Sequence, residues 1–172
     1  MTSVLTSVRR HTVTATELGD ITLVATGDTV EGLYFPRHWR MPDPVTFGPR
    51  VDGSFDEVIG QLREYLGGSR REFTVPVRAQ GDALQRRTWD LIREIPYGAT
   101  TSYAALAARL GAGVDARQAG AMIGANPLCI LIPCHRVIGS TGKLTGYAGG
   151  LGRKRLLLDI ERAAGEPSSR SA

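Results

Sequence analysis

The feature that most constrains this chain is a boundary at Arg78 to Asp82, where composition and charge change together. Before it, HTVTAT (11–16), Ile21 to Thr26 and Val30 to Phe35 are β-branched runs divided by Gly and Asp, the pattern of short antiparallel strands joined by tight turns. After it, apolar residues recur three and four apart between capping residues and glycines, which is the helical period. A chain built this way is α/β (α+β): a small antiparallel sheet with a helix, over residues 1–80, then a helical domain over 82–164. The 172 residues, 42% of them apolar, suffice for cores of that size, and GEPSSRSA (165–172) reads as a flexible tail.

In the first half, Pro36 to Gly53 is a loop. Ser54 and Glu57 form a capping box ahead of an amphipathic helix that presents Phe55, Val58, Ile59, Leu62, Tyr65 and Leu66 and stops at Gly67 and Gly68. EFTVPV (72–77) is a further β-type run. In the second half, Asp82 caps a helix carrying Leu84, Thr88, Leu91, Ile92 and Ile95, ended by Pro96 and Gly98. Thr101 or Ser102 caps a second helix through Leu110, and Asp115 caps a third, ARQAGAMIGA. Two short helices around a Gly-containing turn fit a helix-turn-helix or an ordinary helical hairpin.

The third helix is unusual. Arg117, Gly120, Ala121 and Gly124 share one face, so one long cation stands on a surface stripped of bulk. Each glycine costs a helix about 1 kcal/mol against alanine, and such a face suits close approach to another backbone or a narrow groove. Past Asn126 and Pro127 come LCILI, a buried strand or extended run, then PCHRVIG, a Gly-rich loop from Gly139 to Gly150, and a last helix from about Leu151 to Ala164.

Charge is unevenly spread. Residues 1–82 hold 9 basic and 11 acidic side chains, net −2, and residues 83–172 hold 12 and 6, net +6. The excess points to a polyanion meeting the second half, and 19 of the 21 cations are Arg, the better side chain for phosphate forks and stacking. No apolar run reaches the roughly 18 residues of a membrane span, and MTSVLTSVRRH lacks the apolar stretch of a secretory signal. The two cysteines, Cys129 and Cys134, lie five residues apart, a poor framework for a stabilising disulfide, so a reducing cytoplasm is the expected compartment.

Cys134 follows Pro133 and precedes His135 and Arg136, an electropositive setting for a thiol. It reads either as a nucleophile held beside a base or as an inert buried thiol. Cys129, between Leu128 and Ile130 with no polar neighbour, reads from its own surroundings as an inert buried thiol, and a second reactive thiol is the alternative for it.

The stretch NPLCILIPCHRVIGSTGKLTGYAGGLGRKRLLLDIE (126–161), with PCHRV as its signature, resembles the active-site region of the O6-alkylguanine-DNA alkyltransferases. The likeness runs from about Asp82 to Arg162 and includes PYGATTSYAALA; the first half is loosely similar to that family's RNase H-like domain. The resemblance implies direct DNA repair, in which one cysteine irreversibly takes the alkyl group from O6-alkylguanine, with O4-alkylthymine as a second substrate to consider. It implies Cys134 as the acceptor, His135 as a base acting through a water, and Glu161 orienting that histidine. Tyr103 would donate to the departing guanine and crowd the flipped nucleotide's phosphate, and Asn126 would link the recognition helix to the active-site turn.

By the same resemblance, Arg117 fills the base stack after the damaged nucleotide rotates out, while Ala116, Gly120, Ala121 and Gly124 lie in the minor groove. Tyr147, Ala148 and Gly149, with Arg136 and Val137, would form the guanine pocket. Ala148 stands where many relatives have Ser or Gly, which leaves substrate range open. Some members hold zinc in the first domain, but only His11 and His38 are present there, so neither metal nor other cofactor is expected. The expected partner is double-stranded DNA, with no membrane and no obligate protein partner. A non-catalytic lesion binder would lack the acceptor cysteine, a cysteine hydrolase would turn over repeatedly, and a plain helix-turn-helix regulator would leave PCHRV unexplained.

Overall fold

A computed structural model of the chain describes residues 8–111 and 113–165, so residues 166–172 of the expected tail, and Ala112 in the turn between two helices, lie outside the described residues. Strands β1 (Arg9–Thr16), β2 (Gly19–Thr26) and β3 (Thr29–Tyr34) form an antiparallel sheet in the order β1-β2-β3. Both connections are tight and turn on glycines with positive φ, Gly19 at 98° and Gly27 at 59°, a region closed to most side chains. Alternation then sorts the side chains. Ile21, Leu23, Ala25 and Leu33 join one buried cluster with Val58, Leu62, Tyr65 and Leu66 of helix α1 (Asp56–Leu66), and Val24 and Tyr34 of the sheet form a second cluster with Phe47.

Two local expectations fail here for identifiable reasons. Ser54 does not cap α1, since its hydroxyl donates to Val51 O at 3.2 Å and accepts from Arg10 Nε at 2.8 Å, and Phe55 occupies the cap position without a side-chain bond. The run 72–77 does not become a strand, because Pro76 has no N–H for a ladder. It adds only a single parallel bridge between Val30 and Val77, with Val30 N donating to Pro76 O at 2.9 Å. The loop 36–53 also contains one 3₁₀ turn, Pro44–Phe47, which sets Phe47 flat against Tyr34 with ring centroids 5.3 Å apart.

The second half is built on capped helices. Helix α2 (Ala83–Arg93) opens on a reciprocal box between Asp82 and Gln85, α3 (Tyr103–Leu110) on the Ser102 hydroxyl, and α4 (Ala116–Gly124) on a box between Asp115 and Gln118. Strand β4 (Thr101–Ser102) pairs in parallel with β5 (Val137–Ile138), and α5 (Leu151–Gly165) closes the described chain. The segment LCILI is neither strand nor simple extended run. Leu128 bridges to Leu33, with Leu33 N donating to Pro127 O at 2.8 Å, and the chain then reverses through Ile130 at φ 72°. Because that bridge joins the two halves, their buried apolar side chains form one cluster, from Leu18 through Trp89 to Leu157. Among the described residues no helix is long and apolar enough to cross a membrane.

His38 sits where β3 runs into the loop, its ring 5.2 Å from Tyr34, and its Nδ1 accepts a hydrogen bond from Phe35 N at 3.3 Å. Burial, helped by the charge of Arg153, pushes its pKa down to about 4. The unfolded chain therefore takes up this proton first. Stability from the neutral ring is complete above about pH 6.5 and is lost as the pH falls toward 4, at a cost on the order of 3 kcal/mol. In His38→Gln that part of the pH dependence of urea midpoints should flatten; an unchanged slope would place the acid sensitivity elsewhere.

Candidate active site

Pro133 leads into a 3₁₀ turn, Cys134–Arg136, that projects successive side chains about 120° apart. Cys134 lines a cavity of about 570 Å³ together with Trp39, Tyr103, Ala116, Arg117, Gly120, Ile123, Gly124 and the loop 145–148. Arg136, two residues on, is turned away. It donates through Nε to Glu161 Oε1 at 2.7 Å and through Nη1 to Ile95 O at 2.7 Å, and its guanidinium lies over Tyr97. Arg136 is thus a buried ion-pair partner and not a wall of the cavity, which corrects the expectation for it. Val137, sealed in β5, and Gly149, whose backbone is packed so closely under Phe35 that a Cβ would stand 2.4 Å from the ring, also lie behind the wall. Tyr147 and Ala148 do line it.

His135 is fully buried. Its Nε2 donates to Glu161 Oε2 at 2.9 Å, the Tyr65 hydroxyl stands 3.2 Å from the same nitrogen, and Nδ1 is buried without a hydrogen-bond partner in the structure. That assignment of the proton follows from the hydrogen-bond network. It leaves Nδ1 as a bare acceptor. Desolvation holds the His135 pKa below its ordinary value even with Glu161 pulling the other way, so the ring is neutral and able to take a proton. Burial works against the Glu161 carboxylate, but hydrogen bonds from His135 and Arg136 outweigh it and hold the carboxyl below the usual range.

Around the thiol, Asn126 lies two residues past the end of α4 and ties the reversing segment together. Its amide donates to Ile132 O at 2.9 Å and its carbonyl accepts from Leu128 N at 2.9 Å. The hydrogen bond from Cys129 draws Cys134 below the ordinary thiol value against the effect of burial, and the Asn126 amide and Lys154 ammonium act in the same direction. The Tyr103 hydroxyl accepts from Lys154 Nζ at 3.2 Å, and the same ammonium donates to Gly146 O at 2.8 Å.

Of the small face on α4, Ala116, Arg117 and Ala121 are exposed. Its glycines are not all free, however: a Cβ at Gly124 would stand 2.9 Å from the Trp39 ring, and Gly120 faces Tyr103 at 3.7 Å. The missing bulk on α4 thus admits two aromatic side chains from neighbouring segments as well as leaving a bare rim.

Sequence reasoning missed Lys154, Tyr65 and Trp39. Lys154 could have been found, since 154, 157 and 161 fall on one helical face with the buried Leu157. Tyr65 was assigned to a core face, where its ring does lie, but its hydroxyl reaches the site across 70 residues. Trp39 carried no signal in a Pro- and Arg-rich loop. Among the described residues no three His, Cys, Asp or Glu side chains gather in a way that could hold a metal ion.

Comparison with known proteins now bears on this arrangement. Residues 83–163 match the family model for the DNA-binding domain of 6-O-methylguanine DNA methyltransferase, and residues 9–79 match its ribonuclease-like domain. The chain belongs to that family. A methylated-DNA–protein-cysteine methyltransferase of Mycobacterium tuberculosis is 41% identical over 154 residues, 85% of this chain and 88% of that protein. An inducible one from Bacillus subtilis is 46% identical over 113 residues, 66% of this chain and 63% of that protein. The crystal structure of M. tuberculosis OGT in complex with DNA superposes with a TM-score of 0.84 at 37% identity, covering 90% of this chain and 94% of that one. As a 6-O-methylguanine DNA methyltransferase family member, the chain is a mixed α/β protein with its ribonuclease-like domain first and its DNA-binding domain second. The cavity with Cys134 opens beside α4 of the DNA-binding domain, roofed in part by Trp39 of the ribonuclease-like one.

Proposed function

We propose that the chain repairs O6-alkylguanine in double-stranded DNA by moving the alkyl group, once and irreversibly, to Cys134 Sγ. The observation that carries this reading is the free thiol of Cys134 on the cavity wall, next in sequence to a buried histidine with an unpartnered Nδ1 held by a carboxylate. In the step, His135 Nδ1 takes the thiol proton through a water and the thiolate attacks the alkyl carbon in line with O6. The C–O bond breaks, its electron pair passes to the guanine, and the Tyr103 hydroxyl supplies the proton or hydrogen bond that base needs on leaving. The product thioether has no base able to cleave it, so each molecule acts once.

The O6 substituent of a stacked guanine is out of reach of an in-line sulfur, and the nucleotide has to rotate out at a cost of a few kcal/mol. Arg117, exposed on α4 at the cavity rim, is suited to fill the vacated stack from the minor groove, with α3 and α4 acting as a helix-turn-helix and Ala116 and Ala121 close to the backbone. The +6 balance of residues 83–172 supports phosphate binding in a cytoplasmic setting. O4-alkylthymine presents the same ether chemistry and is the second substrate to assay.

The deciding experiment is mass spectrometry after incubation with an O6-methylguanine duplex, which should show one methyl on the peptide containing Cys134; a methyl on another residue, or catalytic turnover, overturns the reading. Arg117→Ala should slow repair of duplex DNA by roughly tenfold or more yet change transfer from free O6-benzylguanine much less, because the free base needs no extrusion. Equal losses on both substrates would assign Arg117 to the pocket or the fold.

A further inference from the structure

Cys129 takes no part in the alkyl-transfer step, yet the fold brings it to the acceptor. Within the reversing segment, Leu131 N donates to Cys129 O at 2.9 Å, Ile132 N to Leu128 O at 2.8 Å and Cys134 N to Ile132 O at 2.8 Å. Ile130 in the middle is held at φ 72°, a left-handed conformation that a β-branched residue rarely adopts. The reversal sets the two sulfurs 3.9 Å apart, both as free thiols. Cys129 is sealed from solvent, whereas Cys134 faces the cavity.

We infer that Cys129 is a resolving cysteine, which closes a reversible disulfide with Cys134 when a peroxide enters the cavity. The Cys134 thiolate attacks one peroxide oxygen, the O–O bond breaks, and the hydroxide released takes up a proton to become water, leaving a sulfenic acid on Cys134. The Cys129 sulfur then attacks the Cys134 sulfur. The S–O bond breaks, the departing hydroxyl takes the Cys129 proton and leaves as a second water, and the S–S bond forms. Two thiols are oxidised by two electrons in all, and one peroxide is reduced to two waters.

The order of events follows from the geometry, because the cavity leads to Cys134 and not to Cys129. The shared hydrogen bond reinforces it, favouring thiolate on Cys134 and thiol on Cys129. From 3.9 Å the sulfurs have to approach to about 2 Å, which asks for side-chain rotation and local adjustment within one short segment and no movement between domains. The disulfide covers the acceptor sulfur but can be reduced again, whereas a sulfenic acid left without a thiol neighbour is carried by further peroxide molecules, each reduced to water, to irreversible sulfinic and sulfonic acids. The chain has only these two cysteines, so no other thiol of the chain can resolve Cys134.

The test uses the reduced full-length protein, treated with a several-fold molar excess of hydrogen peroxide and digested without reductant. Tryptic peptide 118–136 contains both cysteines, and it is expected to become lighter by two hydrogens and to regain them with dithiothreitol. In Cys129→Ser the same treatment should leave two or three oxygens on Cys134 that dithiothreitol does not remove. Oxygen addition to Cys134 in the wild-type protein, at the rate seen in Cys129→Ser and with no internally linked peptide, would overturn the inference. So would recovery of the thiol by dithiothreitol in the serine variant. The wild-type peptide decides the matter even if the variant fails to fold. This readout needs neither DNA nor alkyl transfer. A parallel assay with O6-benzylguanine, which rests on the proposed repair function, should show benzyl acceptance lost on oxidation and regained on reduction; a disulfide in a protein that never accepts benzyl would sink the repair reading and leave this inference standing.

Discussion

In Cys134→Ser, alkyl transfer to the protein should fall below detection while binding to duplex DNA persists. A hydroxyl ionises far less readily than a thiol, so neither a neutral His135 nor the Lys154 ammonium can raise a useful alkoxide population near pH 7. Oxygen replaces sulfur with little change in shape in a side chain that is 4% exposed, and the bare rim of α4 is untouched. The two measurements are stoichiometric alkyl incorporation by mass and DNA affinity by fluorescence anisotropy. Residual stoichiometric incorporation would remove Cys134 from the acceptor role, and loss of both activities together would mean that the substitution had damaged the fold.

The second large effect is on stability. Glu161→Ala removes a carboxylate that is 1% exposed and takes the hydrogen bonds of His135 Nε2 and the Arg136 guanidinium, leaving Arg136 charged and buried without a counter-charge. Breaking a buried pair from one side typically costs about 3–5 kcal/mol, a large share of the 5–15 kcal/mol by which domains stay folded. For a chain of this size that corresponds to a fall in Tm of roughly 10 °C. Transfer should drop as well in the fraction that remains folded, since His135 loses the group that orients it. Glu161→Gln keeps the shape and one acceptor and should lose less stability. Equal Tm values for wild type and Glu161→Ala would show that water reaches Arg136, and that the network is not the buried unit its geometry indicates.

Much of the fold was legible because it depends on short-range chemistry. Asp82, Ser102 and Asp115 cap their helices in the structure as their spacing predicts, because a cap needs only a side chain three residues from a backbone donor. The three strands follow from alternation and glycine turns. Where a distant group competes, local reading fails: Arg10 captures Ser54 from 44 residues away, and the predicted capping box is lost. The run 128–132 was ambiguous for the same reason. Its apolar residues are buried as their composition requires, but the bridge to Leu33 and the reversal at Ile130 depend on a partner strand 95 residues earlier.

The sequence by itself determined which chemical groups are available: one thiol between a proline and a histidine, a glutamate in the last helix, an arginine on a helix face without bulk, and a basic second half. Tertiary structure alone decided their pairing. It turned Arg136 from the cavity to Glu161, buried Lys154 beneath Tyr103, laid Trp39 over Gly124 and folded Cys129 back onto Cys134. The physical reason is the range of the forces. Caps, turns and periodicity act within a few residues and can be read along the chain. Desolvation of a charge, and the partner it must then find, depend on which segments close around it, and that is set only when the whole core has packed.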